Sequence, residues 1–107
     1  VDAELTMSTL PLLDGAVDCV QAGIVSSLQP ANVRLRRALR NADEFVNDPR
    51  YPLLFDPQTA GGLLAAVDSA SAEDLVAQLN ASGCLDAKII GSIKNHDADA
   101  GPRITVR

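Results

Sequence analysis

Aromatic side chains are nearly missing from this 107-residue chain: Phe45, Phe55 and Tyr51 are the whole set, and there is no tryptophan. The core is therefore expected to be aliphatic, built from Leu, Val, Ile and Ala. Cysteine is equally scarce. Cys19 and Cys84 are too few for a disulfide scaffold and lack metal-ligand spacing, so both are read as buried small hydrophobes in a reducing compartment. The single histidine, His96, lies in a polar stretch, which leaves no His/Cys set for zinc. No apolar run approaches the ~20 residues that span a bilayer, so no membrane association is expected. Nine basic residues face fourteen acidic ones, and the net charge of −5 works against non-specific attraction to nucleic acid. The chain starts at Val1 without a basic, apolar leader, which leads us to expect a piece excised from a longer cytoplasmic polypeptide.

What is present fits one globular domain over residues 1–107. The hydrophobic share of 47% and charged share of 21% are not those of a disordered chain. At this length about two-thirds of the unfolded surface is expected to be buried. Residues 3–9 alternate, with Ala3, Leu5 and Met7 opposite Glu4, Thr6 and Ser8, which predicts a strand with one buried face. Asp14 is placed to cap a short helix with the stripe Leu13, Ala16, Val17 and Val20, and Gly23 to end it. Pro30 opens a second helical pattern, with Ala31, Leu35, Ala38, Leu39, Ala42 and Val46 on one stripe. Arg36, Arg37 and Arg40 fall on the opposite face, flanked by Arg34. That cluster reads either as a solvated face supported by Asp43 and Glu44, or as a surface for a partner or phosphate.

Asn47-Asp48-Pro49 is a break, and Pro52 limits the next few residues to a turn or a single helical turn. Residues 62–67 are apolar throughout, predicting a strand covered on both faces. Ser71-Ala72-Glu73-Asp74 resembles a capping box opening a helix with the stripe Ala72, Leu75, Val76 and Leu79, stopped by Gly83. Residues 87–94 alternate, and Ile104 with Val106 make a last strand, expected as the antiparallel hairpin partner of the one before. The order of elements points to an α+β fold, a mixed or antiparallel sheet with helices packed mainly on one face.

Between the break and the apolar run lies Asp56-Pro57-Gln58-Thr59-Ala60-Gly61-Gly62-Leu63-Leu64. Two adjacent glycines leave backbone N–H groups uncovered, which suits a phosphate or nucleotide oxygen. The same pair before a strand is commonly only a turn or bulge. Asp56 can hold Mg²⁺, orient a water, or cap the turn. Thr59 offers a hydroxyl to a phosphate or to the turn itself, and Gln58 an amide to a ribose edge or to backbone. The Lys-Ser/Thr that a Walker A loop needs after its glycines is missing. No nucleophile–base set or second acid completes a catalytic site, so no catalytic or metal-ligating residue is assigned.

These nine residues resemble the Asp-Pro-Gln-Thr-Ser-Gly-Gly-Leu-Leu signature of the selenophosphate synthetase (selenide, water dikinase) family. Leu10-Pro11-Leu12-Leu13-Asp14-Gly15-Ala16, Ala22-Gly23-Ile24, Ile89-Ile90-Gly91 and Arg103-Ile104-Thr105-Val106 are similar to further segments of that family, in the same order. The stretch 27–38, Ser-Leu-Gln-Pro-Ala-Asn-Val-Arg-Leu-Arg-Arg-Ala, resembles forms fused to a flavin-dependent NADH-dehydrogenase-like module. The resemblance implies a portion of the C-terminal α+β domain of an enzyme related to aminoimidazole ribonucleotide synthetase, partly ferredoxin-like in fold. It implies a homodimeric parent that converts selenide, ATP and water to selenophosphate, AMP and phosphate with Mg²⁺, its ATP held mainly by an N-terminal domain. On that reading Thr59, Gly61 and Gly62 approach the phosphates, while Asp56 and Gln58 position the loop. Ala60 stands where the family has Ser, which removes one hydroxyl. The family's catalytic Cys or selenocysteine, its Lys and its metal-binding aspartates have no match here, and Cys19 and Cys84 fill neither role. The stretch alone is expected to be inactive. Other readings are a different kinase or ligase of the same superfamily, or a non-catalytic interaction module using the Arg34–Arg40 face.

Overall fold

A three-stranded mixed sheet organises the chain in a computed structural model that describes residues 1–97, 99 and 101–107. Strand β1 (Asp2–Leu5) lies in the middle. It pairs antiparallel with β2 (Gly91–Lys94), from Asp2 opposite Lys94 to Leu5 opposite Gly91. On its other side it pairs parallel with β3 (Ile104–Val106), Ala3 opposite Ile104 and Leu5 opposite Val106. The expected hairpin between the last two strands is therefore not formed, because β1 is inserted between them. Gly91 sits where a side chain would run into the backbone carbonyl of Glu4 across the pairing, so the close approach of β2 to β1 requires its missing Cβ.

The first strand also stops earlier than its alternation predicts. Thr9 turns back on Thr6, whose carbonyl accepts from the Thr9 amide at 3.1 Å and from its hydroxyl at 3.0 Å. This local competition with strand pairing makes a 3₁₀ turn over Met7–Thr9 and drives Met7 inward to 2% exposure. There it meets Val106, Tyr51 and Phe55, the buried apolar cluster among the described residues, with Leu10, Leu39, Phe45 and Leu54 packed around it. The expectation of an aliphatic core is thus corrected. Two of the three aromatics sit at its centre, edge to face, with centroids 5.2 Å apart and planes at 74°. They come from one 3₁₀ turn, Tyr51–Phe55, which has Pro52 in its first turn as the break at Pro49 and Pro52 leads one to expect.

Helix α1 (Ala16–Gln21) starts after Gly15 and receives no side-chain cap from Asp14, contrary to expectation. Its far end is as anticipated. Gly23 has φ +76°, and the bonds Gly23 N–H to Val20 O and Ile24 N–H to Cys19 O, 2.9 and 2.8 Å, close a Schellman motif. The long amphipathic pattern after Pro30 breaks into α2 (Gln29–Asn32), a 3₁₀ stretch Val33–Ala38 and α3 (Ala42–Phe45). The cause is tertiary. Leu39 is extended and bridges Ile104 in parallel, and Arg40 N–H donates to Ile104 O at 2.7 Å. Asn41 then uses its side-chain amide as a peptide group would, donating to Val106 O at 2.8 Å and accepting from Val106 N–H at 3.0 Å. Residues 39–41 thus finish the outer edge of β3, and that pairing overrides helix propensity.

Gly83, at φ +98°, ends α4 (Ala72–Ala81) as Gly23 ends α1, through Cys84 N–H on Leu79 O at 2.9 Å. Ser71 makes no capping bond; the turn before α4 is held instead by Asp68, whose carboxylate accepts from Ala70 N–H. Both cysteines are exposed free thiols, which corrects their reading as core residues. The apolar run 62–67 forms no strand here. It is exposed from end to end, Leu63 at 97% and Leu64 at 71%, so the expected cover on both faces is not supplied by the described residues.

Candidate functional site

The segment 56–62 leaves the core from a fixed point. Phe55 is 5% exposed and locked against Tyr51, and Asp56 N–H closes the turn on Leu53 O at 3.3 Å. Asp56 itself is extended, with ψ 124°, and half-buried together with Pro57. From Gln58 to Gly62 the chain is exposed to solvent. Neither Gly61 nor Gly62 has a positive φ, so their value is not unusual backbone angles. A side chain on Gly61 would meet the Gln58 amide oxygen, whereas one on Gly62 would meet nothing.

From Gln58 to Val67 no backbone N–H donates a hydrogen bond among the described residues, and neither do the side chains of Asp56, Gln58 or Thr59 make one. All five candidate residues therefore sit on one anchored, bare segment. They do not converge on a pocket. Two clefts lie elsewhere: about 360 Å³ beside Arg36, Leu39, Arg40 and Asn41, and about 450 Å³ between Ser8, Thr9, Glu73, Val76 and Lys88. No group of three His, Cys, Asp or Glu able to hold a metal ion occurs among the described residues. A nucleotide with its Mg²⁺ would find one carboxylate here, Asp56, and exposed amides, which suits one wall of a site and not the whole of it.

The arginine cluster divides in two. Arg36 makes a long, exposed ion pair with Asp43 at 3.7 Å, of the kind worth at most about 1 kcal/mol. Arg40 instead turns to the sheet, donating from Nη2 to Asp2 at 3.1 Å and from Nε to Pro102 O at 3.0 Å. It is a structural group, so a partner-facing surface would consist of Arg34, Arg36 and Arg37.

Asp2 is the most strongly perturbed group. Its carboxylate receives His96 Nδ1 at 2.8 Å, the Asp97 amide at 3.1 Å and Arg40. The His96 bond, then the Asp97 amide, with help from Arg40, hold its pKa far below the usual carboxylate range against the opposing effect of burial. Glu4 is likewise held low by Lys94, 2.7 Å away, and by Arg107 at 2.7 Å. Nothing local in the sequence pairs Asp2 with a histidine 94 positions away.

No helix among the described residues is long and apolar enough to cross a membrane. No family model matches the chain. Curated relatives do. It is 34% identical over 97 residues to selenide, water dikinase of Clostridioides difficile, an alignment covering 87% of this chain and 27% of that protein. With selenide, water dikinase of Shewanella sp. (strain ANA-3) it shares 34% over 104 residues, 92% of this chain and again 27% of the relative's length. A shorter match of 41 residues, 38% of this chain and 12% of the relative, reaches 56% identity with the enzyme of Pelobacter propionicus. The chain therefore spans about a quarter of the length of the curated relatives that it matches along most of its own. This similarity along most of the chain is what a partial stretch of a selenide, water dikinase (selenophosphate synthetase) would show.

Proposed function

We propose that this chain is a portion of an ATP-dependent selenophosphate synthetase and that residues 56–62 form one wall of its nucleotide site. The parent reaction would convert selenide, ATP and water to selenophosphate, AMP and phosphate. The observation that carries the assignment to this segment is its backbone, unbonded from Gln58 onward, held at one end by the buried Phe55 turn and free of side chains at Gly61 and Gly62. Such amides can face phosphate oxygens supplied by ATP that another part of the parent holds. Thr59 adds a hydroxyl donor, and Asp56 and Gln58 set the loop's direction. Any Mg²⁺ would be held mainly by groups outside this stretch, since Asp56 alone cannot complete a coordination shell. An aminoimidazole ribonucleotide synthetase-like domain, a cytoplasmic homodimer and, from residues 27–38, a fused flavin-dependent module complete the reading of the parent.

Gly62→Ala in the full-length parent is the test. The added methyl meets nothing in this chain, and Gly62 needs no positive φ, so folding stability should stay within about 0.5 kcal/mol. The KM for ATP should rise at least roughly tenfold, because a methyl group would then stand between the amide and a phosphate. An unchanged KM in a folded variant overturns the assignment.

A further inference from the structure

The two glycines of the segment differ in what they leave room for. Gly62 faces open space. Gly61 does not: the Gln58 carboxamide lies where its side chain would stand, the amide oxygen foremost, with Cδ and Cβ 3.4 and 3.5 Å from that point. Neither glycine has a positive φ, so conformational freedom does not explain Gly61. What its missing Cβ provides is a seat for Gln58.

The seated side chain spends none of its hydrogen-bonding capacity. A carboxamide carries two N–H donors and an acceptor oxygen, and none of them bonds to a protein group among the described residues. Gln58 is exposed, and fixing a side chain of this length costs up to about 2 kcal/mol of rotamer freedom. Contact with one glycine offsets little of that cost. The arrangement becomes firm only when the free N–H groups meet an acceptor.

The seat also sets their direction. With the oxygen turned to Gly61, the amino end points away from the backbone, and it does so on a segment whose own N–H groups from Gln58 to Gly62 are unbonded. Side-chain and main-chain donors within five residues suit an acceptor with several charged oxygens, to which each hydrogen bond is stronger than to a neutral group. We propose that Gln58 is itself a nucleotide contact, a side-chain donor to a phosphate oxygen, and that Gly61 is the positioning residue that seats it. This rests on the nucleotide reading above and goes beyond setting the direction of the loop, because it puts the Gln58 amide on the ligand.

Gln58→Ala and Gly61→Ala in the full-length parent test it. Either change should raise the KM for ATP roughly tenfold, the loss of one hydrogen bond to a charged group, with kcat held within about twofold. The double variant should be no worse than either single one, because alanine at 61 acts by displacing Gln58. A roughly hundredfold rise in the double variant overturns the proposal, since the two positions would then act independently. Gln58→Glu separates a donor from a prop. It is the same size and fits the same seat, yet it turns a negative charge towards the phosphate, so its KM should exceed that of Gln58→Ala. A Gln58→Glu KM equal to that of the unsubstituted parent refutes the donor role. Urea midpoints should stay put throughout, because the only clash at Gly61 is with the flexible end of an exposed side chain; a fallen midpoint with an unchanged KM also overturns the proposal. Gly62→Ala, measured alongside, tells the two readings apart. If it raises the KM while the Gln58 and Gly61 variants match the parent, this inference alone fails. If every variant matches the parent, the nucleotide reading fails with it.

Discussion

Asn41 stands in for a strand, and replacing it measures how much that substitution of side chain for backbone is worth. Its amide makes two bonds to one residue of β3, 2.8 Å to Val106 O and 3.0 Å from Val106 N–H. Val106 is 1% exposed, so water cannot easily replace either partner. Asn41→Ala removes two bonds worth about 1 kcal/mol each and leaves both peptide groups short of a partner, for a total loss of about 2–3 kcal/mol. In a chain of this size that lowers the melting temperature by roughly 10–20 °C. Asn41→Asp is the sharper probe. It keeps the acceptor for Val106 N–H but sets a carboxylate against Val106 O, so at neutral pH it should be at least as damaging as alanine. Below about pH 4 the protonated acid regains a donor, and its deficit relative to alanine should shrink. Urea unfolding of the three proteins at pH 7 and near pH 3.5 gives both comparisons. An Asn41→Ala loss under about 0.5 kcal/mol would show that the outer edge of β3 does not depend on this residue.

Two further expectations concern other buried polar atoms. The Tyr51 hydroxyl is buried without a hydrogen-bond partner among the described residues, so Tyr51→Phe should leave stability unchanged or raise it by up to about 1 kcal/mol; a clear loss in thermal unfolding would mean that the hydroxyl is satisfied. Asp2 is more acidic when folded than when unfolded, so its contribution is complete above about pH 4 and is lost as pH falls below that value. Asp2→Asn should therefore be less stable than the parent sequence at pH 7, with the two stability curves converging as acid is added. Parallel curves would refute the Asp2–His96–Arg40 network as a source of stability.

What could be read from the sequence was what the chain decides locally. Gly23 and Gly83 end their helices because the Schellman bonds close within six residues. The turn after Pro49 forms because Pro52 permits little else. The failures share a different cause. The pattern after Pro30 carries a good apolar stripe, yet residues 39–41 gain more by completing β3 than by staying helical. The expected β2–β3 hairpin gives way to β1, a partner from the far end of the chain, and no adjacent residue announces that choice. The aromatics were too few to suggest a core, but a 3₁₀ turn puts Tyr51 and Phe55 side by side. The candidate segment was legible as chemistry, bare amides beside a hydroxyl and an acid. Its surroundings were not, because the described residues do not enclose it.

The unbonded backbone from Gln58 to Val67 has two candidate causes, and the side chains separate them. If a missing strand neighbour explained the whole stretch, apolar residues should run through it. They begin only at Leu63. From Asp56 to Gly62 the side chains are a carboxylate, a proline ring, an amide, a hydroxyl, a methyl and two hydrogens, which supply no apolar surface comparable to the leucines after them. Burying that part in a core would strand its polar groups at a cost of about 1–3 kcal/mol each, whereas leaving Leu63 and Leu64 in water forgoes about 1.5–3 kcal/mol apiece. The free-energy preference therefore reverses at Gly62: the residues after it favour an apolar interior, and those before it favour water or a polar ligand. A strand packed inside the parent up to its first residue would hold the glycine pair at the rim of that interior, with the Phe55 turn fixing the other end. An amide-rich bend tied at both ends is preorganised for an anion in a way that the same bend, loose at one end, is not.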